Sequence, residues 1–239
     1  MADRAELRLA ELAERWELPG EAPQQLRRIL ALVEAEPTSI TTVRDPAQGV
    51  DVHVADSLAG LAVSELRSAV NVADLGAGGG FPGLALAVAL PGATVTLVES
   101  VGKKTDFLRR TADAVGLRNV EVVTARAEGW AEGLGAQDVV TARALAPLNV
   151  LAEYAAPLLE EGGRLVAWKG RRDPSEERDG LHAAEVLGLE PLDPIPAETF
   201  PGADDRHLYV YLKVRETPAR FPRREGMARK RPLQPSGGA

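Results

Sequence analysis

Residues 72–83 read VADLGAGGGFPG: an apolar run ending in Asp74, then Gly76, Gly78, Gly80 and Gly83, then the apolar segment LALAVAL. Glycines at a strand-to-helix turn let the backbone approach a ligand closely, and the first turn of the following helix offers unpaired N–H groups. The register of the glycines separates two ligand classes. A dinucleotide loop reads G-x-G-x-x-G. Counted from Gly76, the sixth place is Phe81 and that register fails. Counted from Gly78 the letters fit, but Phe81-Pro82 then falls where the loop must enter its helix.

Read as D-x-G-x-G-x-G, the loop of the class I S-adenosylmethionine methyltransferases, DLGAGGG matches at every position. That cofactor carries no phosphate, so an acid at Asp74 can hold its cationic amino acid end, usually through water. Glu99 ends the next strand, 23 residues after Gly76. A carboxylate there can accept both ribose hydroxyls in a bidentate arrangement. Dinucleotide enzymes share this acid, so it speaks for a nucleoside and not for its identity. Glu128, in the RAE of residues 126–128, follows the third strand and is placed to reach an adenine edge.

The acceptor is narrowed by absences. The fourth strand block, DVVTARALAPLN, lacks the N-P-P-Y or D-P-P-Y motif that amino-group methyltransferases use, and the chain has no cysteine for attack on a pyrimidine C6. What remains are acceptors with a usable lone pair. Guanine N7 is one, because no proton need be removed before it attacks and alignment alone lowers the barrier. The substrate-side candidates are cations at the carboxyl edge of the sheet, where open α/β folds bind ligands: Arg143 after the fourth strand, Lys169 (with Arg171 and Arg172) after the fifth, and Arg206, beside His207, opening the last. His53 and Asp56, three residues apart on a helix, are close enough for a structural hydrogen bond, with an RNA or active-site role left open, and Lys103-Lys104 read as a solvated helix start.

These groups need a frame. VNVADL (70–75), ATVTLVE (93–99), NVEVV (119–123), DVVTA (138–142), GRLVAW (163–168) and RHLYVYLKV (206–214) read as strands, and amphipathic segments alternate with the first five. Such alternation predicts βαβ units and a mostly parallel sheet buried on both faces, an α/β fold. Ahead of it, Leu9, Leu12, Ala13 and Trp16, and then Leu26, Ile29, Leu30 and Val33, mark two helices, and a third is expected over about Val50 to Leu66. The expected division is a helical extension over 1–66, a methyltransferase domain over 67–216 and a basic tail over 217–239. A single helix is expected after the fifth strand, about Pro174 to Leu187, and then a proline-rich connection.

The 239 residues carry 28 basic and 35 acidic side chains. Eight of the basic ones, against two acids, lie between Lys213 and Arg231, leaving an acidic body with 20 basic and 33 acidic residues. The tail, with four prolines, is expected to be poorly ordered and to contact RNA phosphates. Its removal at Thr217 is expected to leave cofactor affinity nearly unchanged. No cysteine means no disulfide framework and no thiolate metal site, and no metal is expected. MADRAELRLAELAERW has no apolar core of a signal peptide and no run is long enough to span a membrane, so a cytoplasmic protein without a membrane partner is expected.

DVHVADSL (51–58), ADLGAGGGFPGLALA (73–87), LVESVGKKTDFL (97–108), ARAE (125–128), TARALAPL (141–148), WKG (168–170) and RHLYVY (206–211) resemble, in order and spacing, the ribosomal RNA small-subunit methyltransferase G family, also called glucose-inhibited division protein B. The resemblance covers roughly residues 38–233. It departs at Ser39, where the family commonly has Asn, and at Ala228, where it has Pro. It implies a Rossmann-like class I S-adenosylmethionine-dependent methyltransferase fold with an N-terminal helical extension, and an enzyme that moves a methyl group from S-adenosylmethionine to N7 of a guanine in 16S rRNA, acting in rRNA processing on 16S rRNA or an assembling small ribosomal subunit. It implies cofactor contacts at Gly76, Phe81, Ala127, Glu128 and Arg143, to which the residues themselves add Gly78 and Glu99. Two other functions stay open: a non-catalytic ribosome-assembly factor that binds rRNA, against which the intact loop and Glu99 argue, and a methyltransferase with another RNA or a small-molecule acceptor.

Overall fold

A computed structural model describes residues 3–37, 43, 45–197, 199–200, 202–203 and 205–235. Ser39 lies outside them. Five parallel strands form the centre of the sheet: β1 (Asn71–Leu75), β2 (Thr94–Glu99), β3 (Val120–Thr124), β4 (Gln137–Arg143) and β5 (Leu159–Lys169), in the order β3-β2-β1-β4-β5. Short β6 (Leu189–Pro191) and β7 (Ile195–Pro196) and the final β8 (His207–Lys213) complete it, with β8 antiparallel to β5 and pairing β6 and β7. The proline-rich connection expected after residue 187 therefore contributes two edge strands. Proline is compatible with that position because an edge strand leaves N–H groups unpaired on one side.

Alternation along the strands divides the core. Val72, Val95, Leu97, Val139 and Val166 face one layer, and Ala73, Val98, Val140, Leu165 and Ala167 the other. The first layer holds α1 (Arg4–Trp16) and α2 (Ala22–Ala35) through Leu9, Leu12, Leu26 and Ile29, all buried. Asp3 caps α1 by accepting from the Glu6 N–H at 2.8 Å, and Glu6 returns the bond to Asp3 N. The expected third helix is broken into α3 (Pro46–Gly49), a π-helical stretch Val50–Ala55, α4 (Asp56–Leu58), a 3-10 turn Ala59–Ala62 and α5 (Ser64–Ser68). Side chains from the sheet take up its carbonyls: the Trp168 indole donates to Asp56 O at 2.7 Å and Arg143 to Val52 O at 3.1 Å. Trp168 also fills the space at Gly60, where a Cβ would come within 2.5 Å of the indole.

Helices α6 (Gly83–Ala89) and α7 (Gly102–Val115) cover the first layer, and α8 (Leu148–Ala155) and α9 (Pro174–Leu187) the second. Asp173 caps α9 by accepting from Ser175 N, with Pro174 at the first helical position.

The C-terminal segment differs from its expectation. It is packed, as far as Pro235, against the second layer and includes α10 (Met227–Lys230). Phe221 and Ala228 are buried among α8 and α9 residues. Arg223 grips the fully buried Glu153 of α8 in a two-point ion pair, with Nε 2.6 Å from Oε1. Arg223, one of the cations expected to contact RNA phosphates, is thus engaged by a buried acid. Removing one partner of such a pair strands the other, at roughly 3 kcal/mol. Arg223→Ala is expected to lose about that much in denaturant unfolding, and the double variant Glu153→Gln/Arg223→Met to regain most of it. A single variant as stable as the parent would show that the pair contributes little.

Candidate functional site

The site lies where β1, β2, β3 and β4 end. Between β1 and α6 the glycine loop is tied down by Asp74, which has no solvent contact. Its Oδ2 accepts from the Gly83 N–H at 3.0 Å and its Oδ1 from the Thr141 hydroxyl at 2.9 Å. Parallel pairing of β1 with β4 sets Asp74 directly beside Thr141. Gly83 admits no side chain, since a Cβ would stand 2.2 Å from Leu97 and 2.8 Å from the Asp74 carboxylate. Gly76, at φ +67°, turns the chain back so that its N–H donates to Val98 O at 2.8 Å. Burial pushes the Asp74 carboxyl up to about 7, against the Thr141 and Gly83 bonds that favour its ionised form. Asp74 was expected to receive the cofactor's amino end. Its two oxygens accept from the Gly83 N–H and the Thr141 hydroxyl inside the protein, so its part in the structure is to place the loop.

Beyond the loop opens a cleft of about 430 Å³, lined by Gly76, Glu99, Val101, Ala127, Glu128, Leu145, Tyr154 and Arg229. Glu99 is nearly buried at its rim, and its two oxygens accept from Gly78 N at 3.1 Å and from Val101 N at 2.9 Å. Lys104 stands 3.8 Å away, so this half of the expected solvated pair faces the cleft's acid. Glu128 accepts from the Gly226 N–H at 2.9 Å, and Arg229 donates to Leu145 O at 2.8 Å. Gly76, Glu99, Ala127 and Glu128, from three separate segments, are thereby brought to one cleft, and Gly78 reaches it through its N–H on Glu99. A nucleoside fits this arrangement: a narrow floor of backbone at Gly76, an acid at the rim for vicinal hydroxyls, and an acid on the far wall.

Beside the loop stands a second cluster. The His53 ring stacks on Phe81 with centroids 4.9 Å apart and 12° between planes, and the Arg143 guanidinium lies 5.9 Å from the Phe81 centroid. Arg143 donates to Asp56 Oδ2 at 2.7 Å, while Arg206 lies 3.4 Å from Asp56 Oδ1. Asp56 is fully buried, and the two guanidiniums it holds are 15% and 35% exposed. Burial, and then the nearby Arg143, lower the His53 pKa to about 4, so its ring is neutral at neutral pH. The cluster therefore has surplus positive charge directed at the carboxyl edge. The partner of Asp56 is Arg143 from β4, rather than the His53 three residues away that local spacing suggested.

Lys169 is placed differently from Arg143 and Arg206. Its amine sits 2.5 Å from Glu176 and donates to Ala146 O, and Glu176 in turn accepts from Leu148 N at the start of α8. It braces two helices at the edge. Arg171 is largely exposed, 3.5 Å from Asp205, and Arg172 pairs with Glu177. The sequence reading missed Thr141, Leu145, Tyr154 and Arg229. Thr141 was discoverable from strand register alone. Tyr154 carried no signal beyond its place in a helix, and Arg229 was hidden in the tail's charge. Among the described residues no group of three or more His, Cys, Asp or Glu could hold a metal, and no helix is long and apolar enough to cross a membrane.

A doubly wound parallel sheet with an antiparallel last strand, a glycine loop after β1 and acids after β2 and β3 define a class I S-adenosylmethionine-dependent methyltransferase. A structure of such an enzyme from Aquifex aeolicus superposes with a TM-score of 0.57 at 16% identity, covering 75% of this chain and 99% of that one. Residues 24–198 match the rRNA small subunit methyltransferase G family, and the chain belongs to it. Ribosomal RNA small subunit methyltransferase G of Rubrobacter xylanophilus is 43% identical over 205 residues, 83% of this chain and 78% of that protein. The same enzyme of Chloroflexus aggregans is 39% identical over 240 residues, 98% of this chain and all of that one.

Titration of the two buried groups has opposite signs. The folded-state pKa of Asp74 is raised above its ordinary 3.8, so its contribution to stability falls as pH rises from about 4 to about 7. That of His53 is lowered from 6.5 to about 4, so its contribution rises over that interval. Asp74→Asn removes only the first. Its stability relative to the parent is expected to improve steadily from pH 4 to 7 in urea unfolding, and a constant difference would show that Asp74 is not a buried titrating group.

Proposed function

We propose that the protein methylates N7 of a guanine in 16S rRNA, with the small ribosomal subunit or an assembly intermediate as its cytoplasmic target. The observation that carries this reading is convergence. Gly76 with Phe81, Ala127 with Glu128, and Arg143 come from three separate blocks of a chain that belongs to an rRNA methyltransferase family; Gly76, Ala127 and Glu128 line one cleft, and Phe81 and Arg143 stand together beside its loop. When bound, S-adenosylmethionine supplies an electrophilic methyl group on a cationic sulfur.

The chain's residues do the positioning. Glu99 receives the ribose hydroxyls and Glu128, with the Ala127 backbone, the adenine edge. The backbone at Gly76 and Gly78 fixes the depth of the nucleoside. Phe81, backed by the neutral His53 ring, walls the acceptor side. Arg143 and Arg206, aimed by Asp56, offer surplus positive charge to the cofactor's carboxylate and to an RNA phosphate respectively. The N7 lone pair lies in the plane of the guanine ring and needs no base, so the rate enhancement comes from alignment and from exclusion of water. The helical segments over 1–66, the sheet domain over 67–216 and the basic segment over 217–239 are assigned as acceptor-side cap, cofactor domain and cleft wall.

Mass mapping of 16S rRNA from a strain lacking the gene is expected to show one missing N7-methylguanosine, restored by the wild-type gene. An unchanged methylation map would refute the reading. Glu99→Gln gives up a charged two-point acceptor, about 1.5–3 kcal/mol, so the KM for S-adenosylmethionine should rise about ten- to a hundredfold while the KM for RNA stays the same.

A further inference from the structure

Residues 218–235 carry six basic side chains and one acid; Arg229 lines the nucleoside cleft, and the Gly226 N–H donates to Glu128 of its wall. We propose that this segment is a strap over the cofactor, held closed by rRNA phosphates, so that RNA binding tightens cofactor binding. The inference rests on the rRNA methyltransferase reading above and adds a coupling that the reading does not require.

The strap has two firm ends. Upstream, Arg223 is locked on buried Glu153 and also donates to Arg231 O at 2.9 Å. Downstream, Asn149 of α8 donates to Leu233 O at 2.8 Å. Between these anchors Ala228 is buried in the second core layer, and the cleft itself is met at few points. The Gly226 N–H holds Glu128, Arg229 holds Leu145 O, and Glu225 lies 3.5 Å from Arg126 in an exposed pair. Gly226 adopts φ +77°, a turn that starts α10 and aims its N–H inward. Glu128, an expected adenine contact, therefore takes its orientation from the strap.

The outer side is different. Arg220, Arg224, Lys230 and Arg231 are exposed, and none of them pairs with a carboxylate among the described residues. Arg224 precedes Gly226 by two residues and Lys230 follows it by four, so one stretch of phosphate backbone spanning them holds the turn that orients Glu128. The body of the protein is acidic, and these side chains are the cations on this wall that are left over for a polyanion. A ligand that binds the closed strap better than the open one must favour closure, and the closed strap completes the cofactor's wall. By linkage the cofactor must then strengthen RNA binding by the same factor. Under this proposal, truncation at Thr217 weakens cofactor binding, contrary to the expectation that it would not, because the cut removes Arg229 from the cleft lining and the Gly226 N–H from Glu128.

The test measures binding of S-adenosylhomocysteine by equilibrium dialysis, at low salt, with and without small ribosomal subunits lacking the methyl group. Wild-type protein is expected to bind about fivefold or more tightly when the subunits are present. The variant Arg224→Gln/Lys230→Gln/Arg231→Gln keeps the anchors and the cleft contacts. It should bind S-adenosylhomocysteine alone as the wild type does, while its affinity for subunits and the tightening fall together. Wild-type affinity for S-adenosylhomocysteine that is indifferent to subunits would overturn the strap, as would a variant with undiminished subunit affinity. A wild-type protein that makes no N7-methylguanosine would instead sink the underlying reading, so the two failures are distinguishable.

Discussion

Asp74 holds three elements of the site with one carboxylate. Its bonds to the Gly83 N–H and the Thr141 hydroxyl tie the first turn of α6 and strand β4 to β1, with no water between them. A buried acceptor left without donors is costly, so the loop has little freedom to be elsewhere. The depth of the cleft at Gly76, the position of Phe81 ahead of the helix and the exit of Arg143 from β4 all follow from that tether. Gly83 is part of the same constraint, because any side chain there would displace the carboxylate.

The site's electrostatics repeat this pattern of buried acids organising their surroundings. Asp56 holds Arg143 and Arg206 at the acceptor side, and Glu153 holds Arg223 behind the cleft wall. In each case the acid is fully buried and the cation partly exposed. Each acid therefore fixes a guanidinium's direction and leaves some of its donors facing outward. Asp56 has two such partners and so leaves a net positive charge beside Phe81, where an anionic substrate group would be drawn in. An acidic protein can meet RNA in this way, with a few guanidiniums held at one edge.

Much of this was legible in the sequence, and the rest was not for identifiable reasons. The six main strands and the helix over 174–187 were readable because apolar alternation and caps are local signals. The glycine loop, Glu99 and Glu128 were readable because ligand geometry fixes their spacing from strand ends. Asp56 and His53 were misjudged as partners because the π-helical stretch and β4, 87 residues away, decide what the Asp56 carboxylate meets. Lys169 was read as a substrate-side cation, and the packing of α9 sets Glu176 beside it, a pairing that nothing local announces. The C-terminal segment looked unstructured because proline and charge usually mean that, and nothing local announces that Glu153 is a buried acid awaiting Arg223. Each miss is a long-range side-chain pairing.

The central claim is that one cleft, bounded by Glu99 and Glu128 and walled by the C-terminal segment, holds the methyl donor. A crystal structure of the protein with S-adenosylhomocysteine tests it most directly. The account predicts the ribose hydroxyls on Glu99, the adenine against Ala127 and Glu128 with Arg229 on the outer wall, and the sulfur directed toward Phe81. A nucleoside bound elsewhere, such as in the cavity between α1 and α2 near Asp45, or one in the cleft making no contact with Glu99, would contradict it.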